Sequence, residues 1–151
     1  MPSFVLERPI GAPPERLFAL SLDVGLHTDS MARHGERVVA GPASGRLGEG
    51  DTITWSARHF GIRFRMTSLV HDVDEPHAFS DRQVAGPFAE FRHRHEFVPC
   101  TDGTLMRDEI TFRSPFGSLG RIVDATIMRR HLVALIEARN DEIEARATGR
   151  A

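Results

Sequence analysis

The spacing of apolar positions changes its period twice along the chain and so divides it into three parts. Ser3 to Ile10 alternates loosely around Phe4, Val5 and Leu6, which predicts an opening strand ended by Gly11 and the Pro13-Pro14 pair. Proline suits a first helical turn and Glu15 suits its positive dipole end. Leu17, Phe18 and Leu22 then recur at helical spacing, predicting a short helix over 14–22. A second helical turn is expected over about 29–34, before Gly35. From Arg37 onward the period is two. Six runs, 37–41, 51–59, 62–73, 77–84, 88–98 and 104–113, are each bounded by Gly, Pro or Asp. Being consecutive, they predict hairpins and an antiparallel meander rather than crossover units. After Ser114-Pro115 the helical period returns. Leu119, Ile122, Val123, Ile127, Met128, Leu132, Leu135, Ile136 and Ile143 fit one amphipathic helix over 118–146, about 40 Å long. A stripe of that length needs the whole sheet as its partner, and no apolar stripe is expected on the outside. Residues 147–151 carry small or charged side chains and are expected to fray.

The alternation within two predicted hairpins places the candidate chemistry. A two-residue turn at Phe60-Gly61 sets Trp55 opposite Met66 and Ala57 opposite Phe64, with His59 on the same inner face. Over 88–98, Phe91, His93, His95 and Phe97 share one face; over 104–113, Met106, Asp108, Ile110 and Phe112 share another. Charge fixes their register. With a four-residue loop from Cys100 to Gly103, the glycine taking its left-handed last position, Pro99 faces Thr104. Glu96 then faces Arg107 and Arg94 faces Glu109; a slip of two would set Arg94 against Arg107 at a cost of about 0.2–1 kcal/mol. Inside, this register puts Phe91 opposite Phe112, Phe97 opposite Met106 and His95 opposite Asp108. A carboxylate buried without a partner costs several kcal/mol, so Asp108 requires an imidazole or a water. Asp81 and Gln83, on the face of Phe79, add polar groups if that face also turns inward, and Ser68 is a further candidate. So much inward polarity predicts a cavity rather than a solid core.

The length, 151 residues, suits one domain over 1–151. Forty per cent hydrophobic and 26% charged residues are ordinary for a globular chain, and a net charge of −2 offers nucleic acid no basic field. No apolar run approaches the ~18 residues of a membrane helix and no signal-peptide pattern opens the chain, so a cytoplasmic protein without membrane insertion is expected. Lone Cys100 excludes an internal disulfide. His93-x-His95 with Asp108 has the ligand types of a metal triad, but the spacing alone is weak, and neither metal nor cofactor is expected. Gly41 to Gly50 lacks the lysine and following helix of a phosphate loop and reads as a flexible connector at a pocket mouth. His27, His34, His71, His77 and His131 have no partner visible in the sequence.

Ala12-Pro13-x-Glu15-x-x-Phe18, Gly48-x-Gly50-Asp51 with Trp55, Asp81-x-Gln83 before Gly86-Pro87-Phe88, His93-x-His95, Asp108 and Arg139-Asn140 follow one another in a strand, short helix, meander, long helix order. In these features the chain resembles the START-like (SRPBCC) superfamily of helix-grip proteins, closest to its polyketide cyclase/dehydrase-like or cell-division-inhibitor-like bacterial members. The resemblance implies an α+β fold. A curved antiparallel sheet of about seven strands would wrap a long C-terminal helix, with one or two short helices after the first strand. It also implies a deep cavity for lipids, polyketides, hormones or other apolar molecules, and no particular catalytic residue. Three readings of the residues stay open beside a purely structural network that fixes strand register. The first is binding of a small, mostly apolar ligand by Trp55, His59, Phe64, Met66, Asp81, Gln83, Phe91, His93, His95, Phe97, Asp108, Ile110, Met128 and Leu132. The second is a cyclase- or dehydratase-type enzyme in which His95 moves a proton, Asp108 orients it, and Gln83 or His93 polarises a carbonyl. The third is a regulatory protein whose surface meets a partner. The expected partner is a small apolar molecule, with room left for a homodimer.

Overall fold

The computed structural model describes residues 2–149. The chain runs β1 (Ser3–Ile10), α1 (Pro14–Ser21), α2 (Val24–Ser30), a 3-10 turn (Ala32–His34), β2 (Arg37–Ala40), β3 (Thr52–His59), β4 (Ile62–Asp74) and β5 (Ala78–Ala85). It continues through β6 (Glu90–Cys100), β7 (Gly103–Arg113), α3 (Gly117–Val123), a π-helical turn (Asp124–Met128) and α4 (Arg129–Ala147). All seven strands form one curved antiparallel sheet in the order β1-β7-β6-β5-β4-β3-β2, and the long C-terminal helix lies against it. This is the helix-grip architecture. Only β1 departs from simple succession, pairing with β7 so that the first strand closes the far edge.

Register follows the physical expectations closely. Phe60 and Gly61 take positive φ angles of 52° and 75°, as a two-residue hairpin turn demands, and Trp55 faces Met66 while Ala57 faces Phe64. On β6 and β7, Glu96 faces Arg107 and Arg94 faces Glu109, with an Arg107–Glu96 contact of 2.7 Å. The connection is shorter than expected. Cys100 still pairs with Gly103, so the loop is Thr101-Asp102 alone. Gly103 is required there because a Cβ would lie 2.2 Å from the Ile10 carbonyl oxygen.

The second helix begins earlier than the pattern predicted, at Val24, because Asp23 accepts a 2.7 Å bond from Leu26 N and caps it. Gly25 in its first turn weakens the sequence signal. The glycine-rich stretch 41–50 is pinned rather than loose: Asp23 pairs with Arg46, Arg46 reaches Glu75 at 2.6 Å, and Leu47 is buried. At the other end, Ala147 is helical and its carbonyl accepts from Arg16, which counters the fraying expected there; Arg150 and Ala151 lie outside the described residues.

The C-terminal helical run has the predicted extent but not the predicted face. Gly120, Asp124, Leu132 and Asn140 are buried and Met128 and Ile136 are half-buried, an i, i+4 row. The π turn adds a residue to one turn and so keeps that row facing inward. Leu119, Ile122 and Ile127, assigned by the 3.6 period to the sheet side, are instead 64%, 63% and 56% exposed. Together with Phe116 they leave apolar surface on the outside, contrary to expectation. Two anchors hold the turn. Asp124 accepts from Ser114 N at 3.0 Å and from Ser114 Oγ, and Gly120 lies so close to Pro115 that a Cβ would meet its carbonyl oxygen at 2.1 Å.

The core is divided. One cluster gathers Leu17, Phe18, Ile53, Trp55, Phe79, Phe97 and Ile143; the other gathers Phe4, Phe91, Ile110, Phe112 and Leu132. Arg8 ties β1 to the long helix through Glu137, Asp141 and Glu144 at 2.6, 2.8 and 3.1 Å. No helix among the described residues is long and apolar enough to cross a membrane.

Candidate functional site

Between the two core clusters lies a cavity of about 520 Å³, walled by members of both. Its wall includes Trp55, His59, Phe64 and Met66 from the β3–β4 hairpin, Asp81 from β5, and Phe91, His93 and His95 from β6. Met128 and Leu132 close it from the helix. Exposed Phe60, Phe116 and Leu119 also line it, so it reaches the surface between the β3–β4 turn and α3.

Four of the residues expected in the wall stand outside it. Gln83 is used locally: its amide donates to Phe88 O at 2.9 Å and accepts from Phe88 N at 3.2 Å, closing the β5–β6 turn. Phe97 packs edge-on against Phe18 at 5.6 Å in the core beneath α1. Ile110 is fully buried in the second core cluster, and Asp108 lies behind the histidines. Ser68 is in the wall.

The polar end of the cavity is a network in which the pairing differs from the expected one. Backbone register sets His95 opposite Asp108 on β7 and His93 opposite Asp81 on β5. Each imidazole nevertheless bonds the diagonal acid: His93 Nε2 lies 2.7 Å from Asp108 Oδ1, and His95 Nε2 lies 2.7 Å from Asp81 Oδ2. Stacking imposes the exchange. His95 lies flat between Phe79, at 4.1 Å, and His93, at 3.7 Å, which leaves its ring edge facing Asp81.

Arg139 and Asn140 complete the network from the helix. Asn140 Nδ2 donates to Asp108 Oδ2 at 2.8 Å, and Arg139 reaches Asp108 Oδ1 at 3.4 Å and His95 Nδ1 at 3.2 Å. Since arginine only donates, His95 Nδ1 must be an acceptor and Nε2 carries the proton given to Asp81. These two residues belonged to the resemblance but not to the expected site, because in a helix their polarity reads as an exposed face.

Burial, the neighbouring His93 and Arg139 push His95 down to about 3 against the pull of Asp81. Burial alone would raise Asp108, but the bond from His93 and the charge of Arg139 outweigh it and hold the carboxyl well below the usual range. Asp81 is likewise held low, chiefly by His95, against its own burial. Asp81 is also the most open member, its side chain 22% exposed against 5% for His95 and 1% for Asp108. It lines the cavity together with His93 and His95. Asp81, His93 and His95 bring possible metal-ligating atoms within 4.8 Å of one another, yet the guanidinium of Arg139 already supplies the positive charge beside them.

Several histidines do find partners. His59 Nδ1 lies 2.9 Å from His131 Nε2, His34 stacks on His59 at 4.9 Å, and Phe60 packs on His131 at 4.4 Å, joining the hairpin tip to the helix. Burial and the two neighbouring imidazoles push His59 down to about 4. His27 lies over Trp55 at 4.2 Å and contacts Glu36, and all three line the cavity. The sequence carries no periodic signal for Glu36 or His27, since one sits in an irregular link and the other in a short helix.

A family profile described as polyketide cyclase/dehydrase and lipid transport matches residues 1–148. No curated protein matches the chain. Among solved structures it is similar to TTHA0849 from Thermus thermophilus, with a TM-score of 0.79, 22% identity and 98% of each chain covered. A START superfamily protein from Mycobacterium smegmatis aligns with a TM-score of 0.69 and 16% identity over 99% of this chain and 98% of that one. The di-domain ARO/CYC protein StfQ from the steffimycin biosynthetic pathway aligns with a TM-score of 0.78 and 13% identity, over 98% of this chain and 51% of that one. These identities speak to the fold alone.

Proposed function

We propose, from the premise that this chain belongs to the polyketide cyclase/dehydrase and lipid transport family, that it binds a small, mostly apolar molecule in the cavity with a polar group of the ligand at Asp81. The observation that carries this reading is the shape of the polarity: an aromatic and aliphatic wall converges on one hydrogen-bonded cluster whose most open member is Asp81. A volume of about 520 Å³ falls in the range of small-molecule sites, and few, fixed polar groups in an apolar wall are what orient such ligands.

The alternative, proton transfer through His95 and Asp108, has weaker support. A general base works best with a pKa near the working pH, and His95 at about 3 is a feeble base near neutrality. Asp108 bonds His93 rather than His95 and lies outside the cavity wall.

Binding is tested with native mass spectrometry of gently purified protein and with the fluorescent probe N-phenyl-1-naphthylamine. The expected result is one saturable site per chain, lost when Ala57→Trp places an indole in the cavity while leaving the polar cluster untouched. Failure of the probe to bind, or equal binding by Ala57→Trp, would overturn the reading.

A further inference from the structure

The apolar surface left on the outside is concentrated in one place. Phe60, Ile62, Phe116, Leu119, Ile122 and Ile127 are between 56% and 82% exposed, and no other large apolar side chain among the described residues exceeds 47%. All six stand on two parts of the chain that meet at the cavity mouth, the tip of the β3–β4 hairpin and the run from the end of β7 through α3 and the π turn. Phe60 packs on His131 at 4.4 Å and, with Phe116 and Leu119, lines the opening. Phe116 is kept outside at a backbone cost: its φ of 74° lies in the left-handed region that a bulky residue adopts only with strain. Folding gains nothing from six such side chains in water, and an exposed apolar patch of this kind marks an interaction site.

The charge around the patch points to its partner. Arg58, Arg63 and Arg65 on the hairpin and Arg113, Arg121, Arg129 and Arg130 on the helical side are all exposed. Across residues 52–71 and 110–136 they are opposed by one acid, Asp124, which is buried and bonded to Ser114. Seven arginines against one acid give these stretches a charge of +6, in a chain whose net charge is −2. None of the seven joins an ion pair among the described residues, whereas Arg8, Arg46, Arg107 and Arg146 elsewhere all do. Only Arg63 has side-chain hydrogen bonds, to Ser56 Oγ at 2.9 Å and Gly35 O at 3.4 Å. Arg58 even stands opposite Arg63 on the hairpin ladder, a like-charge pairing that weakens it.

We infer that this rim is a docking surface for an anionic lipid bilayer, on which the protein rests mouth-down, with arginines at the phosphates and the apolar side chains among the upper acyl chains. The contact is peripheral, since no described helix is long and apolar enough to span a membrane. A second copy of the chain is disfavoured because two such faces carry the same sign. Nucleic acid would satisfy the arginines but offers no apolar phase to isoleucine and phenylalanine side chains. A bilayer supplies both and needs no matching shape. An apolar ligand could then pass between lipid and cavity without crossing water. Docking does not require a filled cavity, so it stands apart from the ligand-binding reading.

Flotation with two kinds of vesicle tests the surface: phosphatidylcholine alone, and phosphatidylcholine mixed equally with phosphatidylglycerol. The full chain should float with the mixed vesicles and stay in solution with the neutral ones. Raising salt from about 0.1 to 1 M, which shortens the Debye length from about 10 to 3 Å, should release it. Arg129→Gln with Arg130→Gln should weaken partitioning about 25-fold, since each arginine close to an anionic surface is worth about fivefold. Ile122→Ser with Ile127→Ser should weaken it about tenfold, because both isoleucines leave water on docking. Arg94→Gln with Arg107→Gln, an equal loss of charge from β6 and β7, should change it less than about threefold. Melting temperatures and N-phenyl-1-naphthylamine binding of the two mouth variants should match the parent, because none of their altered residues lines the cavity. Failure of the parent to float with mixed vesicles, equal flotation with neutral ones, undiminished binding in either mouth variant, or an equal loss in the β6–β7 variant would overturn the lipid surface. So would a dimer in sedimentation velocity that Ile122→Ser with Ile127→Ser dissolves. Each of these results leaves the cavity reading standing, whereas failure of the parent to bind N-phenyl-1-naphthylamine overturns that reading alone.

Discussion

At the scale of single residues the molecule is organised around charges that have no water to lean on. Asp108 is 1% exposed and takes bonds from His93, Arg139 and Asn140, so its removal strands a buried guanidinium. Breaking such a pair typically costs about 3–5 kcal/mol, so Asp108→Ala should lower the urea unfolding free energy by that amount and Asp108→Asn by less. A loss below about 1 kcal/mol for Asp108→Ala would show that the network is ornamental. The histidines predict the pH response. His95 at about 3 and His59 at about 4 both lie below the ordinary value of 6.5, so the unfolded chain binds more protons than the folded one between those values. Stability should be flat above pH 6.5 and fall as pH drops from there toward 4, with further loss when Asp108 and Asp81 protonate in stronger acid. Urea midpoints measured from pH 7.5 to 4 should fall less steeply in His59→Gln, and a slope equal to the parent's would remove His59 from the account. Strand alternation and cross-strand charge were enough to read the inward face and the register of His93, His95 and Asp108. The choice of partner was not legible, because opposition on a ladder fixes Cβ positions whereas the stacking of Phe79 on His95 decides where an imidazole edge points.

At the scale of elements, the boundaries of the strands and of the long helix were readable and the helix's face was not. Hydrophobic periodicity assumes 3.6 residues per turn throughout, and a single π turn at Asp124–Met128 breaks that assumption. The residues that set the true face, Gly120 and Asp124, have no apolar side chain to count. Gly120 yields a direct test. A methyl there would lie 2.1 Å from the Pro115 carbonyl oxygen, a backbone atom that cannot swing away, so Gly120→Ala must displace α3 from the end of β7. The expected cost is about 1–3 kcal/mol, despite alanine's better helix propensity. Gly48→Ala, whose new Cβ would sit 3.8 Å from Asp51 Oδ2, serves as the tolerated control. A Gly120→Ala protein as stable as its parent in thermal unfolding would mean that α3 is not held in this close approach.

At the scale of the whole molecule, the divided core and the cavity are one fact seen twice. Trp55, Val70 and Phe79 on one side and Phe91, Leu132 and Leu135 on the other turn apolar surface toward a shared space instead of toward each other. The sequence hinted at this through polar residues at inward positions; it could not show the mouth, which is formed where Phe60 at a hairpin tip meets Phe116 and Leu119 beside the π turn. A fold that leaves such walls unpaired forgoes stability that an apolar ligand can restore. Occupancy should therefore be visible as stability: at a hundredfold excess over its dissociation constant, a ligand that binds only the folded chain adds about 2.7 kcal/mol. For a domain of this length that corresponds to a rise in melting temperature of about 5–10 °C. N-phenyl-1-naphthylamine should produce such a rise in the parent and little in Ala57→Trp, whose indole already occupies the space. Equal shifts in the two proteins would locate the dye on the outer surface, with exposed Ile122 and Ile127 the first residues to substitute.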